Sequence, residues 1–469
     1  PRAPKGTAPA PLTLPRLARF ELRNGLSVIA ARDDQLPLVS VQLMVRAGAI
    51  DEPPGRTGLA EFTAGMLRGG VRGMDADAIS RAVDRVGASL SAGSGYELST
   101  IRCSGRSEVL DLCLRMVASL AARPTFPAAE MGQVRDRLLS AVKEVRDDPG
   151  SLADAHFDNL LYGNDHPAGR PLSETTLQRI TRADLVAFHR RAYLPGAAIL
   201  GVSGDVDPAR LRASVKRAFG RWRAGKPPRR EISPVQDPPR GLLVLLVDKP
   251  DLSQSFFTLG HAGIRRKHPD RYAVTTMNYV LGGGGFSSRL MKVVRAEGGK
   301  TYGISSAYFR AEHDGSFSVS SFTRNEQLVE TLQQVVKELE RIREAPPTAA
   351  EIRAAKGKIA GGHAIRVKTT AGLVHRLMSA QMWGLSDDHV VRYALRIDRL
   401  DADQVAAAAR GHVRPGTLVA AIVGKAAVVG PLLEAAKIPF TRIDYLDPIS
   451  MRRRARRAAE ARTPITARS

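Results

Sequence analysis

ITRADLVAFHRRAYLPGAAILGVSGD, residues 180–205, returns in outline as LDADQVAAAARGHVRPGTLVAAIVGK, residues 400–425. The spacing is constant: Pro415 follows Pro195, Gly416 follows Gly196 and Gly424 follows Gly204, each by 220 residues. Each copy reads as a short helix with an acidic start, a Pro-Gly turn, and a buried apolar strand ending in glycine. A unit of this length repeated at one offset points to a duplicated chain.

Outward from the repeat, each half opens with strand-like runs, Leu26 to Ala47 and Leu242 to Gly260, passes through helices, and closes on the repeated unit. Strand and helix runs are mixed rather than strictly alternating, which predicts two α+β halves rather than a doubly wound sheet. The stretch 221–240, RWRAGKPPRREISPVQDPPR, holds five prolines and cannot continue a helix or a central strand. The expected organisation is a flexible lead (1–16, with five prolines in its first fifteen residues), an N-terminal half (17–220), a linker (221–240), a C-terminal half (241–444) and a basic tail (445–469).

Of the 469 residues, 43% are hydrophobic and 25% charged, the composition of a globular protein. The longest apolar runs, 241–247 and 197–202, fall far short of the roughly eighteen residues a membrane span needs, so a soluble chain without a transmembrane segment is expected. Cys103 lies in a strand-like stretch and Cys113 in a helix-like one, which reads as neither a disulfide framework nor a paired-cysteine metal motif. The net charge is +23, and residues 451–469 contribute seven arginines against one glutamate. No zinc-finger spacing, recognition helix or aromatic-basic interleaving accompanies that charge, so nucleic acid is not the expected partner.

The chemistry concentrates in residues 281–308, LGGGGFSSRLMKVVRAEGGKTYGISSAY. Ser287 or Ser288 is a natural N-cap, Leu290, Val293 and Val294 recur at helical spacing, and Gly298-Gly299 ends the helix just after Arg295. Tyr302, Ile304, Ser306 and Tyr308 then alternate as a strand that Tyr302 opens. The turn between can bring Arg295 and Tyr302 to one carbonyl oxygen as two hydrogen-bond donors. The plainer reading makes Arg295 a complement to the helix C-terminus and Tyr302 a half-buried strand aromatic. Gly282 to Gly285 is not a phosphate cradle, because no Gly-Lys-Ser/Thr follows, and no Gly-x-Ser-x-Gly elbow is present. The run Glu351 to Trp383, with His363 and His375, reads as one long helix with core and solvated faces.

Duplicated halves, a proline-rich linker and a glycine-rich loop leading to an Arg and a Tyr seven apart together resemble the pitrilysin/insulinase family of zinc metallopeptidases. The likeness is closest to its short bacterial members and the mitochondrial processing peptidases, and it covers residues 17–444. The resemblance implies two α+β halves forming one side of a clamshell chamber, completed by a second chain. It implies that Arg295 and Tyr302 act catalytically and, with Gly283 and Gly284 of the glycine loop, bind substrate. It also implies extended peptide added to a sheet edge, which here corresponds to the stretch Leu90 to Cys103.

The zinc side departs from the family pattern. The inverted His-x-x-Glu-His motif places two histidines on one helix face with the general base between them, and a further Glu seventy-six residues on completes the set. The matching stretch here is GLAEFTAGMLRGG, residues 58–70, with Glu61 at the first histidine, Ala64 at the base and Gly65 at the second histidine. The third position, counted back from Asp147-Asp148-Pro149, falls on Ala141. Glu61 and Glu144 then read as ordinary helix carboxylates. The nearest pair of histidines, His261 and His268, is too far apart for a local replacement site. No metal is therefore expected in this chain; zinc is expected in a homologous partner that completes a heterodimeric peptidase, with peptides as substrates. A periplasmic location is expected from the resemblance, with the cytoplasm as the alternative. Two rival readings are a structural core-like subunit and a peptide-binding, chaperone-like protein of the same fold.

Overall fold

The computed structural model describes residues 10–225, 227, 229–232, 235 and 240–450. Most of the expected flexible lead, parts of the linker and most of the basic tail lie outside these residues.

The first half runs β1 (Leu17–Glu21), β2 (Ser27–Arg32), β3 (Leu38–Val45), α1 (Leu59–Met66), the two-residue strands β4 (Gly70–Val71) and β5 (Met74–Asp75), α2 (Ala76–Asp84), β6 (Ser89–Ser94) and β7 (Ser99–Arg106). It continues through α3 (Leu110–Ala122), α4 (Ala128–Asp147), α5 (Pro149–Tyr162), α6 (Glu174–Arg179), α7 (Arg182–Ala192), β8 (Ala198–Gly204) and α8 (Pro208–Phe219). The second half runs β9 (Gly241–Asp248), β10 (Gln254–Ala262), α9 (Arg271–Asn278), β11 (Ile304–Arg310), β12 (Gly315–Arg324) and α10 (Leu328–Glu344). After these come α11 (Ala349–Arg366), α12 (Thr370–Met382), α13 (Asp388–Val391), α14 (Tyr393–Asp398), α15 (Ala402–His412), β13 (Thr417–Gly424), α16 (Ala426–Ala435) and β14 (Phe440–Asp444).

Each half carries a six-stranded mixed sheet, ordered β1-β2-β8-β3-β7-β6 and, read from the other end, β14-β9-β13-β10-β12-β11. The duplicated α+β architecture read from the repeat is therefore present. Helices α7 and α15 begin and end 220 residues apart, each opened by a capping box from Thr181 or Asp401. One edge differs, since β1 pairs antiparallel with β2 whereas β14 pairs parallel with β9.

The halves are interlocked rather than strung on a linker. Helix α5 of the first half lies on β10 and β13 of the second sheet, with Leu152, Phe157 and Leu161 packed against Leu245, Val419 and Val423. Helix α12 of the second half lies reciprocally on β2 and β8, with Val374, Leu377 and Met378 against Ile29, Met44 and Ile199. Two glycines permit the approach: a Cβ at Gly201 would sit 2.2 Å from Met378 Sδ, and one at Gly260 would sit 3.0 Å from Phe157 Cζ. This exchange also corrects the reading of Glu351 to Trp383 as one helix. The chain breaks after Val367, and Thr369 caps a new helix by accepting from Gly372 N at 3.1 Å, which turns α12 toward the other half.

A polar joint backs this exchange. Arg230 of the linker, almost wholly buried, forms a two-pronged pair with Asp51 (Nε–Oδ1 and Nη2–Oδ2, both 2.8 Å) and donates to Glu97 O at 2.8 Å. Arg46 pairs with Glu312 at 2.7 Å, Arg266 with Glu97 at 2.5 Å, and Glu312 N donates to the second oxygen of Glu97 at 2.7 Å. Buried His166 and Asp314 close the set at 3.0 Å.

Cys103 and Cys113 form a disulfide with Cα atoms 5.3 Å apart, which corrects the expectation drawn from their contexts. The two contexts are adjacent in space because α3 folds straight back onto β7 after the turn at residues 107–109. Removing one member of a buried, hydrogen-bonded ion pair leaves the other uncompensated, at a cost of about 3–5 kcal/mol. Arg230→Ala is expected to lower unfolding stability by about that amount, seen as a fall in the urea midpoint at unchanged slope; an unchanged midpoint would show that the joint contributes nothing.

Candidate functional site

The glycine-rich segment of the second half is built from two π-helical turns flanking a loop. Helix α9 widens into a π turn over Tyr279–Gly283, a short 3-10 turn covers Gly285–Ser287, and a second π turn spans Met291–Glu297. The sequence predicts an ordinary α-helix for the last of these. Instead Gly298 N bonds five residues back to Val293 O at 3.0 Å, while Ser288 Oγ donates to Gly285 O at 2.7 Å rather than accepting from the helix start. The wider turn keeps Met291 and Val294 in the core while Gly299 reverses the chain at φ +60° and buried Lys300 pairs with Glu330. Such turns are rare and recur at functional sites.

The structure brings Arg295 and Tyr302 together. The Arg295 guanidinium lies 4.8 Å from the Tyr302 ring centroid and 4.6 Å from that of Phe286, so it is held between two rings that are each 77% exposed. It makes no hydrogen bond or ion pair to any described residue, which leaves its five donors free. The one sequence signal for Phe286 is its place directly after four glycines. Tyr302 does not open the strand, which begins at Ile304. Thr301 Oγ1 accepts from Gly303 N at 3.1 Å and donates to Gly303 O at 2.9 Å, and this local turn holds Tyr302 out of the ladder. Gly283 is exposed and Gly284 half-buried, and a Cβ at Gly284 would meet Tyr279 O at 2.6 Å. The loop is tied to β11 by Asn278, which donates to Ser306 O at 3.1 Å and accepts from Ser306 Oγ at 2.8 Å.

The zinc-motif positions gather on α1 and α4 of the first half. Glu61 is half-buried and accepts from Ser94 N at 3.0 Å. Ala64 is fully buried, and beside Gly65 the Arg137 Nη2 sits 2.6 Å from where a Cβ would stand. With Ala141 at the third position, this group offers one carboxylate and a guanidinium; it does not fit the three-ligand set of a catalytic zinc. Glu144 is exposed. The single strand expected over Leu90 to Cys103 is a hairpin: β6 and β7 are joined by a turn, and β6 is a free edge of the first sheet, bonded to Glu61 through Ser94.

A different potential metal group appears only in three dimensions. His268, Asp270 and His412 place their ligand atoms within 4.8 Å of one another. His412 Nε2 already hydrogen-bonds Asp270 Oδ2 at 2.8 Å. No sequence spacing could reveal it, because α15 delivers His412 from 144 positions beyond His268.

Duplicated α+β halves with crossed helices, and an Arg-Tyr pair presented by the second half, define a peptidase-like fold. Family profiles described as "Insulinase (Peptidase family M16)" and "Peptidase M16 inactive domain" match residues 27–176 and 179–359. The chain belongs to this M16 family. It is 29% identical over 423 residues, 89% of this chain and 94% of the other, to a Mycobacterium tuberculosis protein described as an uncharacterized zinc protease. The crystal structure of a peptidase M16 inactive domain from Pseudomonas fluorescens is similar at a TM-score of 0.80 and 27% identity, covering 87% of this chain and 98% of that one. The periplasmic protease PqqL from Escherichia coli shares the fold at a TM-score of 0.75 and 15% identity, over 90% of this chain but 47% of that one.

The α1 start rests on Glu52, whose buried carboxylate accepts from Ala60 N at 2.7 Å and from Gly58 N at 3.1 and 3.2 Å. Burial raises its pKa to about 7 in spite of those bonds. A raised carboxyl pKa favours the protonated folded form, so stability present below pH 4.5 is lost as pH rises toward about 7. Glu52→Gln is expected to gain about 3 kcal/mol relative to the native chain between pH 4.5 and 8; a pH-independent difference in urea midpoints would contradict this.

Proposed function

We propose that the chain is the non-metal subunit of a heterodimeric M16 peptidase, presenting Arg295 and Tyr302 to peptide held at the zinc site of a homologous partner. The observation that carries this reading is the Arg295 guanidinium, gripped by Phe286 and Tyr302 at an exposed loop with its donors unused. Cation–π contact with the two rings orders the guanidinium while leaving its N–H donors without a partner among the described residues. A carbonyl oxygen arriving from outside would accept from them, and the hydrogen bonds would strengthen as that oxygen gains negative charge. Gly283 and Gly284 leave backbone beside the pair open to an extended peptide. The zinc-motif positions support the same division of labour, since one carboxylate beside a guanidinium is no metal site.

The free β6 edge supports a second reading, peptide binding without hydrolysis, by addition of a strand to the first sheet. For the location we infer the periplasm. The Cys103–Cys113 disulfide fits an oxidising compartment, and no helix among the described residues is long and apolar enough to cross a membrane.

The decisive assay measures zinc content and peptide cleavage for the purified chain alone and mixed with a zinc-motif homologue from the same cell. The expected result is no zinc and no cleavage alone, with cleavage in the mixture. Arg295→Ala and Tyr302→Phe should each lower kcat about 100- to 1000-fold, the effect of removing one oxyanion donor. Stoichiometric zinc with cleavage by the chain alone would overturn the proposal. A mixture indifferent to both substitutions would leave only a structural role, and peptide binding that persists without cleavage would favour the second reading.

A further inference from the structure

A cavity of about 430 Å³ opens between β11 and α9 on one side and helices α11 to α14 on the other. Arg266, Arg271, Arg310, Arg366 and Arg376 line it, and among the described residues no carboxylate does. The Nε atoms of Arg266, Arg271 and Arg310 are buried and have no hydrogen-bond partner. Their other nitrogens are spent mostly on neutral groups. Arg310 donates to Thr275 Oγ1 at 3.0 Å, and Arg271 donates to His268 O at 3.1 Å and to the Tyr272 hydroxyl at 3.3 Å. Arg266 alone reaches an acid, Glu97, while its guanidinium stacks 3.9 Å over Trp383.

Neighbouring ionisable groups do not offset this charge. His389 shares a 2.8 Å hydrogen bond with the Tyr272 hydroxyl, and burial together with Arg271, Arg396 and Arg376 pushes its pKa down to about 4, so it is neutral near pH 7. Burial and the flanking guanidiniums also lower Arg310 and Arg376 from their ordinary values, yet guanidinium keeps its proton in proteins. Apart from Glu97 on Arg266, the cavity therefore sets partly buried positive charges and unused donors together with no facing anion, an arrangement that costs free energy unless a counter-charge enters. Planar forks of this kind match oxyanions through paired hydrogen bonds, and the volume lies within the range of small-ligand pockets.

We propose that this cavity is a binding site for a compact phosphate-type oxyanion of two or more negative charges, held chiefly by Arg271, Arg310 and Arg376. Helix α9 and β11 flank both sites, but no residue of the Arg295-Tyr302 loop or of α1 lines the cavity, so the proposal does not rest on the peptidase role. Inorganic phosphate and a phosphate ester offer the same group; the aromatic wall of Trp383 and Tyr393 would favour an ester bearing a flat ring.

The test is calorimetric titration of the full chain with inorganic phosphate, pyrophosphate and adenosine monophosphate, alongside thermal unfolding with and without each. Saturable one-to-one binding that weakens with added salt is expected, together with a rise in unfolding temperature. Arg310→Gln should weaken binding at least about tenfold, the loss of one charge-assisted bond, and should raise the unfolding temperature of the anion-free chain by removing an uncompensated charge. Arg376→Gln repeats the test at a second position should the first variant fold poorly, and Arg343→Gln, exposed on α10, should leave binding unchanged. Tighter binding of adenosine monophosphate than of phosphate would assign an ester, and equal binding a free oxyanion. No saturable binding of any of the three, an equal loss in Arg343→Gln, or an acidic peptide that binds where they do not would overturn the proposal.

Discussion

Each sheet of this protein has two apolar faces, and its own half covers only one. Along β8 and β13 nearly every position is buried, with Ile199 and Val419 on the face opposite Leu200 and Ala420. A strand buried on both sides needs two covering layers. Helix α3 supplies one for the first sheet, and α9, α10 and α16 supply one for the second. The remaining faces could meet water, pair with a stranger, or be covered by the other half. The chain takes the last course, and α5 and α12 cross in opposite directions. That choice dictates the small residues at Gly201 and Gly260, the break at Val367 and the burial of the linker arginine.

The joint is polar because it is made of connections: the segment after β3 (46–51), the β6–β7 turn (97), the β11–β12 turn (312–314) and the linker (230) meet there. Buried carboxylates there are not simply paired but hydrogen-bonded to backbone as well, as Glu97 is to Glu312 N. Ion pairs of this kind contribute little net stability compared with apolar packing, but they penalise misregistered alternatives, in which a buried charge would lose its partner. For two halves so alike in topology that is a useful bias. Arg230 recognises Asp51 and Glu97 of one half while Glu312 of the other stands beside it, which fixes how the lobes sit.

The duplication was legible because Pro-Gly turns and terminal glycines are local chemistry, readable wherever the partners end up. Arg295 and Tyr302 were legible for the same reason, being seven residues apart across one reversal. The π geometry was not, because Leu290, Val293 and Val294 satisfy an α-helical and a wider spacing about equally well. Tyr302 was misplaced by two residues, since alternation continued through it while the Thr301 hydroxyl, a single local competitor, stopped the ladder at Gly303. The disulfide is hidden in the sequence because Cys103 and Cys113 sit in unlike contexts, and helix α3 reverses onto β7 within a turn too short to mark. The arginine-lined cavity and the His268-Asp270-His412 group depend on segments far apart in the chain, and only the tertiary path of α12 to α15 assembles them.

The α1 positions that align with the family's zinc pattern are shaped by packing. Position 64, where the family's pattern places a carboxylate, is fully buried on α1. A glutamate there without a cation beside it would be a desolvated, unpaired charge; a small apolar residue avoids that, and Ala64 packs into the core at no such cost. Gly65 follows the same logic from the outside. The exposed end of Arg137 covers it and would yield to a larger side chain, but Val134 Cγ1, 3.0 Å from the same point, is part of the core and would have to shift. A histidine placed at 65 alone would thus disturb packing, while a glutamate placed at 64 alone would bury a charge. Neither substitution is favourable by itself, whereas the Arg295 loop, exposed and held between its two rings, rests on neither position.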